Sequence, residues 1–216
     1  MIDFTYSPPD AAPVILYEDH DLVFVDKPSG LLSVPGRGPE KTDCMIARLA
    51  RIYPDILLVH RLDLDTSGVM VFARTPAAQR HLGQQFETRK TRKHYIARVA
   101  GHVDGTEGRV DLPLIVDWPN RPLQKVCHDT GRPAQTDWKL IRHEDGASRL
   151  RLMPVTGRSH QLRVHMLAIG HVILGDPLYA TGEALAYTRL MLHAQSLRLN
   201  HPETGHGMTI NAPVPF

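Results

Sequence analysis

Two aspartates, Asp63 and Asp65, stand with His60 and Arg61 inside a stretch that is otherwise built for a core: Leu58-Val59-His60-Arg61-Leu62-Asp63-Leu64-Asp65-Thr66-Ser67-Gly68-Val69-Met70-Val71-Phe72-Ala73. An isolated carboxylate in apolar surroundings protonates or costs several kcal/mol unless a cation and hydrogen bonds hold it ionised. If the segment is extended, residues two apart leave the same face with side chains ~7 Å apart, within the range of a carboxylate pair acting on a glycosidic bond. Asp65 adjoins Thr66-Ser67-Gly68, read here as a turn centred on Gly68, and is better read as a turn carboxylate. Asp63 is the catalytic candidate. The cation it needs is offered by Arg163, which falls on the apolar arc of a later helix with Leu162, Met166, Leu167 and Ile169 and would depress the carboxylate's pKa.

Other chemistries find less support. His160 and His165 are five apart, so they lie on different helix faces, and no HExxH occurs among the 13 histidines. His60, His165 and His193 read as structural. A glycine-rich phosphate loop, a GxSxG elbow and a cysteine nucleophile signature are all missing. Tyr95, in Lys93-His94-Tyr95-Ile96-Ala97-Arg98-Val99, could place its ring in the core or stack it on a nucleobase.

The elements that position these residues follow from local pattern. Val14–Tyr17 and Leu22–Val25 read as two β segments around an acidic turn, with Lys27-Pro28-Ser29-Gly30 ending the second. A helix capped by Thr42 or Asp43 is expected through about Tyr53, with Met45, Ile46, Leu49 and Ile52 at helical spacing. Val69–Ala73 reads as a buried strand. Thr75-Pro76 is a cap followed by proline at the first helical position, and starts a helix to about Thr88. Strands are expected over 93–100, 133–141, 149–154, 190–199 and 208–210, and a helix over Ser159–Ile169 closed by Gly170. Residues 117–122 form the longest irregular piece.

The chain has 216 residues, 42% hydrophobic and 22% charged, with a net charge of +2. That suits one α+β domain with a mixed, largely antiparallel central sheet spanning 1–216, preceded by a flexible lead-in over residues 1–13. No apolar run approaches the ~18 residues of a membrane helix. The N-terminal residues lack the basic and apolar regions of a secretion signal. The two cysteines, Cys44 and Cys127, are too far apart for a zinc knuckle, and a cytoplasmic monomer is the simplest reading. Charge is mild overall but clustered: Arg89-Lys90-Thr91-Arg92-Lys93; then Arg121, Lys125 and Arg132; then Arg149, Arg151, Arg158 and Arg163. Such runs are either solvated faces or grips for phosphate.

These residues resemble a known family. His60-Arg61-Leu62-Asp63 followed by Thr66-Ser67-Gly68 is similar to the HRLDxxTSG motif of the RluA-type pseudouridine synthases. The resemblance continues through Lys27-Pro28-Ser29-Gly30, Lys93-x-Tyr95-x-Ala97-x-Val99-x-Gly101, Gly157-Arg158-x-His160-Gln161-Leu162-Arg163-Val164-His165, Leu174-Gly175-Asp176 and Leu192-His193-Ala194. Within the family, the chain looks like the short members that lack an N-terminal RNA-binding domain. The resemblance implies an enzyme that breaks the N-glycosidic bond of an RNA uridine, turns the uracil and rejoins it through C5, with no cofactor and no metal. It implies Asp63 as the catalytic residue, Tyr95 packed on the target base, Arg163 paired with Asp63, and Arg61 filling the gap left by the flipped nucleotide. Arg89, Lys90, Arg92, Lys93, Arg121, Lys125 and Arg158 then become phosphate contacts. The implied substrates are a tRNA anticodon stem-loop and a loop of 23S rRNA. Position 26 departs from the family pattern, with Asp in place of the usual Asn, and Asp65 replaces an Ala. A base-releasing RNA glycosidase and a non-catalytic RNA-binding module are the rival readings.

Overall fold

The computed structural model describes residues 5–216. Strand β1 (Val14–Glu18) turns into β2 (Leu22–Lys27) through Asp19, whose Oδ1 accepts the backbone N–H groups of Asp21 and Leu22, both at 2.8 Å. That is the local bonding that makes aspartate a turn former. Helix α1 (Met45–Ala50), the short strand β3 (Leu57–Leu58) and β4 (Ser67–Ala73) follow. Helix α2 (Pro76–Glu87) begins as its sequence dictates, with proline at its first position and the Thr75 hydroxyl accepting the Ala78 N–H at 3.1 Å. The chain continues through β5 (Arg92–Ala100), β6 (Glu107–Asp111), β7 (Leu114–Val116), β8 (Gln124–Val126), β9 (Gln135–Glu144), β10 (Ala147–Pro154), helix α3 (Gln161–Ala168), β11 (Leu192–Asn200) and β12 (Gly207–Asn211).

Two compact units result, Thr5–Lys93 with His193–Pro215, and His94–Leu192 with Phe216. The first carries strands in the order β1-β2-β4-β11, with β12 beside β11 and β3 beside β4. Its pairings are antiparallel except β4 with β11, which run parallel where Ser67 meets His193 and Gly68 meets Ala194. Every residue of β4 is buried, and Val69 and Val71 pack with Leu22, Phe24, Leu82 and Leu197. The second unit carries the antiparallel order β5-β10-β9-β6 and a separate β7-β8 hairpin. Its core joins Val99, Leu150 and Leu152 to Leu162 and Met166 of α3. The fold is α+β with mixed, largely antiparallel sheet, as the sequence led us to expect.

Local differences from the sequence reading have identifiable causes. Gly68 is not a turn residue: it lies within β4 at φ 113°, where a Cβ would stand 2.2 Å from the Ala194 carbonyl oxygen. Glycine is required there by the close approach of β11. The turn falls earlier, at Leu64-Asp65, with the Thr66 N–H donating to the Asp63 carbonyl at 3.2 Å. The extended geometry assumed for Asp63 and Asp65 therefore does not hold. Helix α1 is shorter than expected and Ile52 is 53% exposed. Asp43 does not cap it, because both carboxylate oxygens take the Arg48 guanidinium at 2.8 and 2.6 Å. Helix α3 begins only at Gln161, since His160 sits at φ 53° in the left-handed region. Six consecutive residues, Gln161–Met166, are buried while Leu167 is exposed. Burial around the whole helix left periodicity little to report. Of the expected lead-in, residues 1–4 lie outside the described residues. The remainder has no regular structure but is held where the Tyr6 hydroxyl donates to the Asp43 carbonyl at 2.8 Å and Arg48 donates to the Ala11 carbonyl at 2.6 Å.

Candidate active site

Asp63 is partly buried on the loop between β3 and β4, and donors from the Lys27–Ser33 segment fix the backbone on both sides of it. Lys27, fully buried at the end of β2, donates from Nζ to the carbonyls of Pro28 (2.8 Å), Leu31 (2.7 Å) and Leu64 (2.9 Å). An ammonium has three donors and no acceptor, so a ring of carbonyls is the environment in which it can be buried. Ser29 donates to the Asp65 carbonyl at 2.7 Å, and the Gly30 N–H to the Leu64 carbonyl at 3.0 Å. Ser33 Oγ donates to the Leu62 carbonyl at 2.7 Å while accepting the Leu62 N–H at 3.1 Å. With residues 62, 64 and 65 pinned by their backbones, the backbone at Asp63 is held in place before any substrate arrives.

The start of the same loop is fixed by His60. Its Nε2 accepts the Val71 N–H at 3.1 Å and its ring stacks on Phe86 with centroids 4.7 Å apart. Burial, helped by the Lys93 cation, pushes its pKa down to about 3, so the ring is neutral and Nε2 keeps its lone pair. His193 Nδ1 lies 2.8 Å from the Ser67 hydroxyl, which ties β11 to the first residue of β4. These histidines serve the fold.

In the second unit Arg163 is 2% exposed and its Nε and Nη2 grip Asp176 at 2.7 and 2.5 Å. Asp176 Oδ1 also accepts the N–H groups of Leu178 (2.9 Å) and Tyr179 (3.1 Å). The Tyr179 ring lies 5.1 Å from the guanidinium carbon, and its hydroxyl is 2.8 Å from His160 Nδ1. Asp176 is a partner of Arg163 that the sequence analysis does not name as one, since there it stands only at the end of the motif Leu174-Gly175-Asp176. The signal available was a lone acid between Ile173-Leu174 and Leu178-Tyr179. Lys27 stands in the sequence analysis only as part of a motif, although a cation two residues after the apolar run Leu22–Val25, at the end of a buried strand, demands a set of acceptors. Tyr95 is partly buried on β5, opposite Leu152 of β10, and packs against the second unit's core.

The basic residues divide by exposure. Arg61, Arg89, Lys90 and Arg92 are exposed, whereas Lys93 is partly buried and its pKa is lowered, by burial first and then by the neighbouring Arg89. Arg121 and Lys125 are exposed in the second unit, the latter 3.0 Å from Asp117. Arg158 is partly buried and donates to the Pro133 carbonyl at 3.2 Å. The third cluster does not act as one patch, because Arg163 holds Asp176 and Arg149 holds Glu144 at 2.6 Å. His165 is buried between the Thr136 hydroxyl at 2.9 Å and the Leu112 carbonyl at 3.0 Å. Among the described residues no group of three His, Cys, Asp or Glu could hold a metal, and no helix is long and apolar enough to cross a membrane.

Residues 21–168, which include the Lys27 clamp, the Asp63 loop, Tyr95 and Arg163, match the family described as RNA pseudouridylate synthase. The chain belongs to that family. It is 55% identical over 214 residues to the dual-specificity RNA pseudouridine synthase RluA of Escherichia coli (strain K12), covering 98% of both chains. Its identity to the RluA of Vibrio vulnificus (strain CMCP6) is 52%, covering 100% of this chain and 89% of the other. Among solved structures, human RNA pseudouridylate synthase domain containing 1 superposes with a TM-score of 0.81 at 27% identity, over 97% of this chain and 87% of that one. This pseudouridylate synthase isomerises uridine within RNA. Neither the glycosidase nor the binding-module reading finds support in the relatives.

Proposed function

We propose that Asp63 is the residue that acts on the target uridine, with Tyr95 against the base and Arg163 as the cation paired with Asp63. The observation that supports this most directly is the backbone clamp of Lys27, Ser29 and Ser33 on residues 62, 64 and 65. Such preorganisation is what a group needs when it must act on one glycosidic carbon or one ring carbon. In the reaction the C1′–N1 bond breaks, the uracil turns, a C1′–C5 bond forms, and the proton lost from C5 is balanced by one gained at N1. Water must not capture C1′ while the base is detached, which suits an aspartate set between Leu62 and Leu64.

The substrates in this reading are a tRNA anticodon stem-loop and a loop of 23S rRNA, and the protein works as a cytoplasmic monomer of one catalytic domain. A dual-specificity name on relatives at 52–55% identity supports the pair of RNA classes. A loop uridine also unstacks at lower cost than a paired one. Arg61 fills the space the uridine leaves, and Arg89, Lys90, Arg92, Lys93, Arg121, Lys125 and Arg158 contact phosphates. The deciding assay uses each RNA with tritium at uracil C5. Wild-type protein should release tritium to water with the RNA intact, and Asp63→Asn should release none. Free uracil in the supernatant, or full release by Asp63→Asn, would overturn the assignment.

A further inference from the structure

Trp118 is 62% exposed, more than any other large apolar side chain among the described residues. A single exposed apolar residue on a monomer is ordinary, so exposure alone argues nothing. Three features set this one apart. First, it is held rigidly: it opens the short 3-10 turn Trp118–Asn120 in the link between β7 and β8. There the Asp117 N–H donates to the Leu123 carbonyl (2.9 Å), the Leu123 N–H to the Asn120 carbonyl (3.0 Å), and Asn120 Nδ2 to the Asp117 carboxylate (2.8 Å). A ring presented on a locked turn loses little entropy on contact with a partner.

Second, the ring is already part of a stack with a cation, Arg121 lying 4.2 Å from its centroid, and Lys125 and Arg132 are exposed in the same unit. An aromatic face beside guanidinium and ammonium groups is the composition of a single-strand nucleic-acid grip: the ring takes a base and the cations take phosphate. Third, the hairpin is wired to the arginine of the site. The Gln124 N–H at the start of β8 donates to the Tyr179 hydroxyl at 2.8 Å, and Tyr179 is the ring lying against Arg163.

We propose that Trp118 is a nucleobase-stacking contact for the substrate RNA: with Arg121 it captures an unpaired base other than the target uridine. The proposal rests on the protein's action on RNA and not on which RNA it modifies. The chain has two tryptophans, and the other, Trp138, is 8% exposed in the core, so a quench caused by RNA is assigned to Trp118 when it disappears in Trp118→Phe. Titration with a uridine-loop RNA hairpin that the wild-type protein converts should quench the fluorescence in a saturable way, and Trp118→Phe should abolish the quench while keeping most of the affinity. Trp118→Ala and Trp118→Leu should each weaken binding by about five- to a hundredfold, with the change in KM, kcat at saturating RNA and the melting temperature little altered, and the slope of affinity against salt unchanged. Leucine keeps apolar bulk without a π face, so it separates stacking from a greasy contact. Fluorescence unmoved by saturating RNA, or a leucine variant that binds like wild type, would overturn the proposal. Tritium release by the wild-type protein is scored separately, so failure of the stacking contact and failure of the Asp63 assignment leave different traces.

Discussion

The Asp63 loop and the Arg163 helix are held in opposite ways. Around Asp63 the protein fixes backbone: a buried ammonium and two serine hydroxyls take the carbonyls of residues 62, 64 and 65. Around Arg163 it fixes a side chain, through a bidentate ion pair with Asp176 and a ring against the guanidinium. A short carboxylate has few rotamers, so a fixed backbone already narrows where it can point. A long guanidinium must be aimed along its whole length, and its charge must be answered where it is buried.

The largest stability effect should come from breaking the ionic side of this comparison. Asp176→Ala leaves a buried guanidinium without its partner and should cost about 3–5 kcal/mol, seen as a melting temperature lower by roughly 10 °C with activity lost as well. Replacing both residues, Arg163→Met with Asp176→Leu, should recover much of the stability and none of the activity, which separates the pair's structural part from its chemical one. If the double variant were as unstable as the single, charge burial would not be the cause.

On the backbone side, Lys27→Met keeps the buried stem but removes every donor to the carbonyls of Pro28, Leu31 and Leu64. We expect a loss of about 2–4 kcal/mol and a kcat lower by roughly ten- to a hundredfold. Ser33→Ala is the gentler form of the same test. It should cost about 1–2 kcal/mol, with kcat reduced several-fold and KM for RNA nearly unchanged. Normal turnover in both variants would mean that the clamp serves the fold alone.

A pH dependence is also expected from His60. Its folded pKa of about 3 lies below the ordinary value of 6.5, so between these limits the unfolded chain binds the proton and the folded one does not. Its contribution to stability is complete above pH 6.5 and falls as pH drops towards 3, by at most about 1.4 kcal/mol per pH unit. His60→Gln, which keeps an acceptor for the Val71 N–H, should flatten denaturant midpoints measured between pH 6.5 and 4. An unchanged pH slope would place the titrating group elsewhere.

Features carried by neighbours in the chain were legible without the fold. The Thr75-Pro76 start of α2, the turn at Asp19, the alternation of β5 and the all-apolar run of β4 are set by local bonding and local period, and each element formed where the sequence placed it. The motif around Asp63 named the family before any geometry was known. What the sequence left open are contacts between distant segments. Gly68 looked like a turn because a glycine beside Thr66-Ser67 usually is one, whereas the reason for it is the Ala194 carbonyl, more than a hundred residues away. Asp176 stands in the sequence only as the end of the motif Leu174-Gly175-Asp176, and Leu167 reads as part of a buried arc that α3 does not have.

The sequence by itself determined that a carboxylate, an arginine and a tyrosine of one enzyme family are present, and which strands and helices carry them. Only the tertiary structure decided what aims them: Lys27 and the serines for the backbone around Asp63, and Asp176 for Arg163. The physical reason is that charge burial obliges each buried ion to have a partner, yet leaves the partner's place in the chain to whichever segments folding brings within about 3 Å.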